Sequence, residues 1–338
     1  MVLFCCRLSQ PKNGRVCKIW KTWKIWKAHK THPADPTKPL KTHTAHTAKP
    51  RIPTKTQTSH TPQGPKTPKN PTKPPSPPTI STTPKKYCNI KPPMPQTLIT
   101  GDIHAMYDRL IETLENARFN PEEDTLYAVG DFCDRGPDSV KVIDYLMGLP
   151  HFLPVAGNHD MWLYEYLCGQ GPAPIWLDPR NGGSVTYQAF RDLPEERKTK
   201  IRIWLGDLPL VRTAGNNIIL HAGPPSEVQD QATLIAQTKG LTLSKAYEEK
   251  LATGSYSPLV HGIVWDRTYI RAAAGWEHFK DTEDAQELGR RPFDTDMTII
   301  CGHTPMREIL HSDRYHITCI DTGSFDPEGH ITVINLPA

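Results

Sequence analysis

The sequence predicts an α/β fold over residues 97–338, and three observations support this prediction. Three short apolar runs in the first half of this region are each followed at once by a polar phrase. Apolar residues at helical spacing fill the two intervals between these runs. Further apolar runs in the second half, separated by turn residues, indicate more strands. A β-α-β-α-β order with polar residues at strand ends is typical of open α/β sheets that bind a ligand at that edge.

The first half supplies three predicted strands and two predicted helices. The strands are the apolar runs 98–100, 126–129 and 152–156. The helices are marked by Leu110, Ile111 and Leu114 on one face of the first, and by Val140, Ile143 and Met147 on one face of the second. Asp138 or Ser139 caps the second helix, and Gly148 ends it.

The second half is predicted to add helices and a second group of strands. Helical patterns cover 162–167, the stretch around Tyr187 and Phe190, 194–205 and parts of 233–252. Strands are predicted at 210–212 and 218–220 as a hairpin, and then at 297–301, 316–321 and 331–336. We expect these late strands to form a second sheet.

Residues 1–96 differ in composition from the rest of the chain and predict a disordered tail. They carry 19 Lys and Arg against one acid, Asp35, whereas residues 97–338 carry 21 Lys and Arg against 35 Asp and Glu. Of the 34 prolines, 18 precede Gln96. A basic, Pro/Lys/Thr-rich segment has too few apolar residues for a core. The catalytic domain is therefore expected at 97–338.

Within the tail, Trp20, Trp23 and Trp26 alternate with lysines. Such a segment can lie on an anionic membrane or stack on single-stranded nucleic acid. The alternative is a biased extension without a selected role.

The cysteines and the hydropathy pattern bear on location. Four cysteines are scattered through residues 97–338 without a CxxC pair, and three of them, Cys133, Cys301 and Cys319, lie in or beside apolar runs. Buried thiols are therefore expected rather than disulfides, which favours a reducing, cytoplasmic setting. No run of 18 apolar residues predicts a transmembrane span, and residues 1–6 are too short for a secretory signal.

The polar phrases after the first three strands predict a two-metal site. They are the segments 101–104, 130–136 and 157–160. Asp102 and His104 are two residues apart at a strand end, so both side chains can point to one side and hold a transition metal. A carboxylate such as Asp131 can bridge two ions about 3.5–4 Å apart. Asn158 adds a neutral oxygen.

Other side chains suit phosphate chemistry. Arg135 offers a guanidinium fork for a phosphate, His159 can protonate a leaving alkoxide, and Asp134 can orient that imidazole. His221 and His303 each follow a later apolar run. A lone histidine after a strand is more often structural, but the preceding phrases favour a ligand role for both.

These phrases resemble the signature of the metallophosphoesterases. Asp131-x-x-Asp134-Arg135-Gly136 narrows the resemblance to the phosphoprotein phosphatase family of Ser/Thr phosphatases. Further matches, over about 97–336, are most similar to the bacterial and phage-type protein phosphatases: Asn181-Gly182-Gly183, Leu208-Pro209, His221-Ala222-Gly223, Trp265-x-Arg267, Gly302-His303-Thr304 and Ile320-Asp321-Thr322-Gly323.

The resemblance implies a two-sheet sandwich flanked by helices (α/β/β/α) and a role for each matched residue. It implies that the first metal is held by Asp102, His104 and Asp131, and the second by Asp131, Asn158, His221 and His303. It implies that Arg135 and Arg267 hold the phosphate and that His159, backed by Asp134, is the general acid. Two divalent ions are expected, with Mn²⁺ favoured and Fe or Zn also suited to these ligands.

A metal-dependent phosphoester hydrolase is therefore expected, first of all a serine/threonine protein phosphatase acting on a phosphoprotein or phosphopeptide. A hydroxide activated by the two metals attacks phosphorus, and His159 protonates the leaving oxygen.

Two departures from the family pattern concern the substrate. Ala105 stands where the family usually has glycine, and Ala156-Gly157-Asn158-His159-Asp160 replaces Arg-Gly-Asn-His-Glu. The Asp-ending version resembles the diadenosine tetraphosphate hydrolases, so a dinucleoside polyphosphate hydrolase with the same bimetal site is the alternative. A different alternative is a binding protein whose basic tail carries the function while the domain is inert.

Overall fold

The computed structural model describes residues 94–279 and 290–336. The predictions for the basic tail therefore lie outside the described residues, apart from positions 94–96. The described helices are α1 Tyr107–Asn116, α2 Ser139–Met147, α3 Asn158–Leu167, α4 Pro174–Leu177, α5 Gly183–Arg191, α6 Glu195–Gly206, α7 Gln231–Thr238, α8 Leu243–Thr253, α9 Pro258–Trp265 and α10 Thr268–Phe279.

The strands of the described region form two sheets. They are β1 Thr97–Thr100, β2 Thr125–Ala128, β3 Phe152–Pro154, β4 Val211–Ala214, β5 Asn217–Leu220, β6 Thr298–Cys301, β7 Leu310–Ser312, β8 Ile317–Cys319 and β9 Val333–Asn335. The first sheet has the order β3-β2-β1-β9 and the second the order β4-β5-β6-β8-β7. Strands β1, β2 and β3 are parallel, as the β-α-β-α-β pattern predicts.

The alternation of side chains along the strands explains why the sheets stack. Ile99 of the first sheet and Val129, the residue directly after β2, share one buried cluster with Ile219 and Ile300 of the second sheet. Their chain neighbours on the strands, such as Leu98, belong to the larger cluster that also includes residues of the helices. Each fully buried aliphatic side chain contributes about 1.5–3 kcal/mol. The predicted α/β sandwich of two sheets flanked by helices is confirmed.

Several predicted elements differ from the structure. The last strand was expected in the second sheet, but β9 pairs antiparallel with β1 in the first. The stretch predicted as helical, 233–252, contains two helices, α7 and α8. The second begins directly after Thr242, whose hydroxyl accepts a hydrogen bond from the backbone N–H of Lys245 and so caps the helix. In α2 the buried residues include Val142 and Leu146, while Val140 and Met147 are only partly buried.

The buried thiols agree with the prediction. Cys133, Cys301 and Cys319 are buried and free, and Cys168 is also free. Among the described residues, no helix combines the length and the apolar character needed to cross a bilayer.

Candidate metal centre

Strand ends from both sheets bring the predicted site residues together. Loops after β1 and β2 carry Asp102, His104 and Asp131, and loops after β5 and β6 carry His221 and His303. Two groups of side chains could hold a metal ion, and within each group the ligand atoms lie within 4.8 Å of one another. The groups are His104, Asp131 and His159, and Asp131, His221 and His303. Asp131 belongs to both groups, which is the position that the sequence predicts for a bridging carboxylate.

Asp131 lies at the centre of the cluster and is 1% exposed. Its Oδ2 is 3.3 Å from Nε2 of His221 and 3.7 Å from Nε2 of His104. Its Oδ1 accepts a hydrogen bond of 2.9 Å from the backbone N–H of His159. Burial alone would raise the pKa of Asp131, but His221, His159 and His104 together hold it well below its usual range. Asp131 is therefore an anion at neutral pH.

Three of the histidines each direct one ring nitrogen at a backbone carbonyl. Nδ1 of His104 is 3.0 Å from the carbonyl of Cys133, and Nδ1 of His221 is 2.7 Å from that of Val129. In His303 it is Nε2, 3.1 Å from the carbonyl of Trp265. A carbonyl only accepts, so each of these nitrogens carries a proton, and in the neutral form of the ring the opposite nitrogen presents a lone pair. Such backbone partners commonly fix the tautomer of a metal-ligating histidine.

The electrostatic surroundings of these histidines differ. Burial, followed by the charges of Arg135 and His159, lowers the pKa of His104 well below its ordinary value. Burial, followed by His221 and Arg267, does the same to the pKa of His303. For His221, burial is outweighed by the Asp131 carboxylate, which raises the pKa. The neutral forms of His104 and His303 are the forms that bind metals.

His159 differs from the other three histidines because its ring pairs with a carboxylate and not with a backbone carbonyl. Its Nδ1 lies 2.6 Å from Oδ2 of Asp134, a carboxylate that is fully buried. The indole N–H of Trp176 donates a second hydrogen bond of 2.7 Å to the same oxygen. The two hydrogen bonds hold the Asp134 carboxylate in place against the imidazole of His159.

Carboxylates crowd the other side of Asp131. Asp102 is 2% exposed and Asp321 is 1% exposed. Burial, then the charges of Asp321 and Asp131, raises the pKa of Asp102 well above its ordinary value. Asp321 accepts from the backbone N–H of Gly323 through Oδ1, whereas its buried Oδ2 has no partner. A divalent cation would relieve the repulsion among these three groups.

Two guanidinium groups border the cluster. Arg135 contacts Nε2 of His104, and its Nη2 is 3.3 Å from Nε2 of His159. Arg267 donates from Nη2 to the carbonyl of His303 at 2.9 Å. Burial, followed by the charge of Arg135, lowers the pKa of Arg267. The two cations thus influence each other, and an anion between them would be favourable.

Backbone strain is concentrated in the site. Among the described residues other than glycine, six of the eight with positive φ belong to the site segments, namely His104, Ala105, Asp131, Asp134, Arg135 and His303. Such conformations cost roughly 1–3 kcal/mol each and persist where the surrounding structure enforces them. His104 therefore reaches Asp102 through a left-handed turn, with 3.8 Å between Nε2 and Oδ2, and not by the strand alternation that the sequence suggests.

Glycine is required at two close approaches in the centre. A Cβ atom at Gly157 would collide with Oδ1 of Asp131, and one at Gly302 would collide with Oδ1 of Asp102. These two glycines allow the carboxylates to lie against the backbone of neighbouring loops.

The third polar phrase lies in a helix. Strand β3 ends at Pro154, and Asn158 is the first residue of α3. Oδ1 of Asn158 lies 3.0 Å from Nε2 of His221, so both belong to the same side of the cluster. The positive end of the helix dipole favours the anionic charge of Asp131 beside it.

Two site residues were not found from the sequence. Asp160, noted there only as a departure from a pattern, accepts hydrogen bonds from the backbone N–H groups of Asp131, Phe132 and Gly157 at 2.8–3.0 Å. It therefore joins the second and third phrases. Trp176 was missed because no local pattern predicts which indole reaches a carboxylate 42 residues away.

The buried polar atoms without partners test whether a metal and an anion fit here. In the described part of the chain these atoms are Oδ1 of Asp134, Nε of Arg135, Nε of Arg267, Oγ1 of Thr304, Oδ2 of Asp321 and Oγ of Ser324. All belong to the site segments or to the loops that flank them. The mixed oxygen and nitrogen donors, with lone pairs directed at the cluster, fit divalent transition metals.

Comparison with known proteins agrees with this geometry. Residues 95–317 match the family model for calcineurin-like phosphoesterases. Over 149 residues the chain is 34% identical to the symmetrical bis(5'-nucleosyl)-tetraphosphatase of Dechloromonas aromatica (strain RCB), covering 44% of this chain and 51% of that protein. Over 184 residues it is 34% identical to the protein of the same name from Methylococcus capsulatus, covering 53% of this chain and 60% of that protein. The chain thus spans about half the length of the curated relatives it matches.

A solved structure is also similar in outline. The cold-active protein-tyrosine phosphatase of a psychrophilic Shewanella species aligns with 71% of this chain and 75% of its own, at 17% identity and a TM-score of 0.45. A likeness at this level carries no argument about activity.

Proposed function

The chain belongs to the calcineurin-like phosphoesterase family, and from this premise we propose that it is a metal-dependent hydrolase of dinucleoside polyphosphates. The observation that carries the proposal is the pair of ligand groups that share Asp131. Two divalent cations bound there would lower the pKa of a water molecule and polarise the phosphoryl oxygens. The finer assignments that follow are part of the same proposal.

We assign Asp102 to the first cation in place of His159, because Nδ1 of His159 is paired with Asp134 and Oδ2 of Asp102 lies 3.8 Å from Nε2 of His104. Asp102, His104 and Asp131 would hold the first cation. Asp131, Asn158, His221 and His303 would hold the second. Asp321, whose Oδ2 is buried and unpartnered, adds negative charge close to Asp102 and would stabilise the first cation without necessarily ligating it.

Proton transfer and phosphate binding fall to other residues. His159 would donate the proton from Nε2 to the leaving oxygen, because its Nδ1 is held by Asp134. Arg135 and Arg267, whose Nε atoms have no partner, would bind the phosphoryl oxygens. In the overall reaction one water adds across a P–O–P bridge. One phosphate keeps the hydroxyl group, and the other leaves with the proton.

Support for a nucleotide substrate comes from the relatives and from Asp160. The curated relatives at 34% identity are named as symmetrical bis(5'-nucleosyl)-tetraphosphatases. Asp160 stands where the resemblance to protein phosphatases expects glutamate, and its carboxylate fits the space between three backbone N–H groups. Symmetrical cleavage of diadenosine tetraphosphate would give two molecules of ADP.

A serine/threonine protein phosphatase is the second candidate, favoured by one observation. Asp134 and Arg135 occur together in the phrase that resembles the phosphoprotein phosphatases, and Asp134 is hydrogen-bonded to His159. A phosphoserine leaving group needs a proton more than a diphosphate does, so this pair suits that substrate.

A substrate panel separates the two candidates. The full chain, loaded with Mn²⁺, is assayed with diadenosine tetraphosphate and with a phosphoserine peptide, and kcat/KM is compared. We expect the nucleotide to be preferred, with ADP as the product. A clear preference for the phosphopeptide would overturn the proposal. Activity that persists in Asp131→Asn would instead refute the metal centre.

A further inference from the structure

A cavity of about 540 Å³ opens beside the metal centre. This volume lies within the range of small-molecule sites in proteins, roughly 300–1,000 Å³. Its walls include Arg135, Pro179, Arg180, Ser184, Val185 and Phe325. Arg135 is the residue proposed to bind the phosphoryl group, and the other five have no assigned part in metal binding or proton transfer. A substrate whose phosphate contacts Arg135 can therefore extend its remaining part into this cavity.

Phe325 forms a flat apolar wall of the cavity. The guanidinium carbon of Arg135 lies 4.2 Å from the centre of its ring. Arg109 anchors the loop that carries Phe325, donating from Nη1 to the carbonyls of Ser324 and Asp326 at 2.6 and 2.9 Å. Aromatic rings and guanidinium planes are the surfaces on which nucleobases stack. Val185, 40% exposed, adds an apolar surface.

The polar part of the cavity is cationic. Arg180 donates two hydrogen bonds to the carboxylate of Asp178, from Nε at 2.9 Å and from Nη2 at 2.7 Å, which fix the guanidinium plane. These two bonds leave Nη1 free of Asp178. Ser184 and Val185 lie in the first turn of α5, the positive end of the helix dipole. A ligand that carries both an apolar ring and further phosphates complements these walls.

We propose that this cavity binds one nucleoside arm of the dinucleoside polyphosphate, with its base against Phe325 and a phosphate next to the scissile bond near Arg180. The inference rests on the proposed function, because a phosphopeptide offers neither a base nor a second phosphate. It adds a binding site for the part of the substrate that does not react.

Two variants test the cavity, and a third is a matched control. Val185→Trp fills the cavity from an exposed helix position, and Arg180→Ala removes the cation. Arg191→Ala is the control, since Arg191 is likewise exposed and paired through Nε and Nη2 with an adjacent aspartate, Asp192, at 3.0 Å. Arg191 does not line the cavity.

The variants are compared on diadenosine tetraphosphate and on p-nitrophenyl phosphate, which lacks a nucleoside. Loss of one stacked base or one phosphate contact corresponds to about tenfold in affinity. We expect the ratio of kcat/KM for the nucleotide to that for the aryl phosphate to fall about tenfold in both cavity variants, mainly through KM. Arg191→Ala should keep the wild-type ratio. An unchanged ratio in both cavity variants would overturn the inference.

Direct binding separates this inference from the proposed function. Calorimetry with ADP and the Mn²⁺-loaded protein reports binding without turnover. We expect the Kd for ADP to rise about tenfold in Val185→Trp. Equal ADP binding by Val185→Trp and the wild type would refute the cavity even if the wild type hydrolyses diadenosine tetraphosphate. Wild-type protein that binds ADP in the cavity but prefers phosphopeptides would instead refute the substrate assignment.

Discussion

Replacing Asp134 with asparagine tests how the site supplies a proton. The carboxylate Oδ2 accepts from Nδ1 of His159 at 2.6 Å and from the indole of Trp176 at 2.7 Å. Both donors share Oδ2, so the amide oxygen of asparagine can take its place and still accept from Trp176 and from Nδ1 of His159. The amide carries no negative charge, so the protonated imidazole keeps an acceptor but loses the carboxylate charge beside it.

The structure sets the size of the effect. Asp134 and His159 are both almost fully buried, so their interaction is little screened by solvent. Hydrogen bonds to charged groups contribute about 1.5–3 kcal/mol, and breaking a buried ion pair costs about 3–5 kcal/mol. A loss of about 3 kcal/mol corresponds to a decrease in kcat of roughly 10²-fold, at the lower end of the range for general acid catalysis, about 10²–10⁴.

The assay compares two leaving groups. Phenyl phosphate needs a proton on its departing oxygen, whereas p-nitrophenyl phosphate needs it much less. We expect Asp134→Asn to lower kcat about a hundredfold for the first and about tenfold or less for the second. Metal content should stay at the wild-type level, and Asp192→Asn, at an exposed site, is the control. Equal losses on both substrates would refute the role of Asp134 in proton donation.

Three further predictions concern the metal centre and the tail. Asp131→Asn should lower the metal content from about two ions per chain, measured by elemental analysis, and abolish hydrolysis; full occupancy would exclude the shared ligand. When Mn²⁺ is added back to the chelated protein at about 100 times its Kd, we expect the domain to gain about 2.7 kcal/mol of stability, or roughly 5–10 °C in Tm. The reason is that the cations offset repulsion among buried carboxylates, and a Tm that does not change with Mn²⁺ would contradict this. Deletion of residues 1–90 should leave kcat/KM unchanged and remove any binding of the full chain to anionic vesicles or single-stranded nucleic acid, whereas a loss of catalysis would show that the tail contributes to the domain's activity.

Much of the site was predictable because each phrase directly follows a strand. Parallel strands β1 and β2 end at one sheet edge, so Asp102 and Asp131 come together through local sequence alone. His221 and His303 follow β5 and β6 in the same way, and these two strands are parallel neighbours in the second sheet. The positions of these residues at strand ends therefore predict that the ligands of each sheet lie close together.

The remainder depended on contacts that no local pattern records. Trp176 lies on α4, a helix of four residues without periodic signal, and its indole reaches Asp134 only in the folded chain. The apolar run at 331–336 predicts a strand but does not specify its partner, so the pairing of β9 with β1 was missed. The proposed nucleoside-binding cavity likewise depends on walls, such as Phe325 and Arg180, that are far apart in the sequence.

The pairing of β9 with β1 bears on when during synthesis the proposed site can be completed. Leu98 pairs with Asn335, so β1, the first strand of the described region, can pair with β9 only after nearly all of the described residues have been made. Contacts of such sequence separation form slowly, since a long loop must close first. The backbone N–H of His303 also holds the carboxylate of Asp102. We therefore expect chains that stop before residue 300 to contain the first three phrases and still lack metal-dependent hydrolysis.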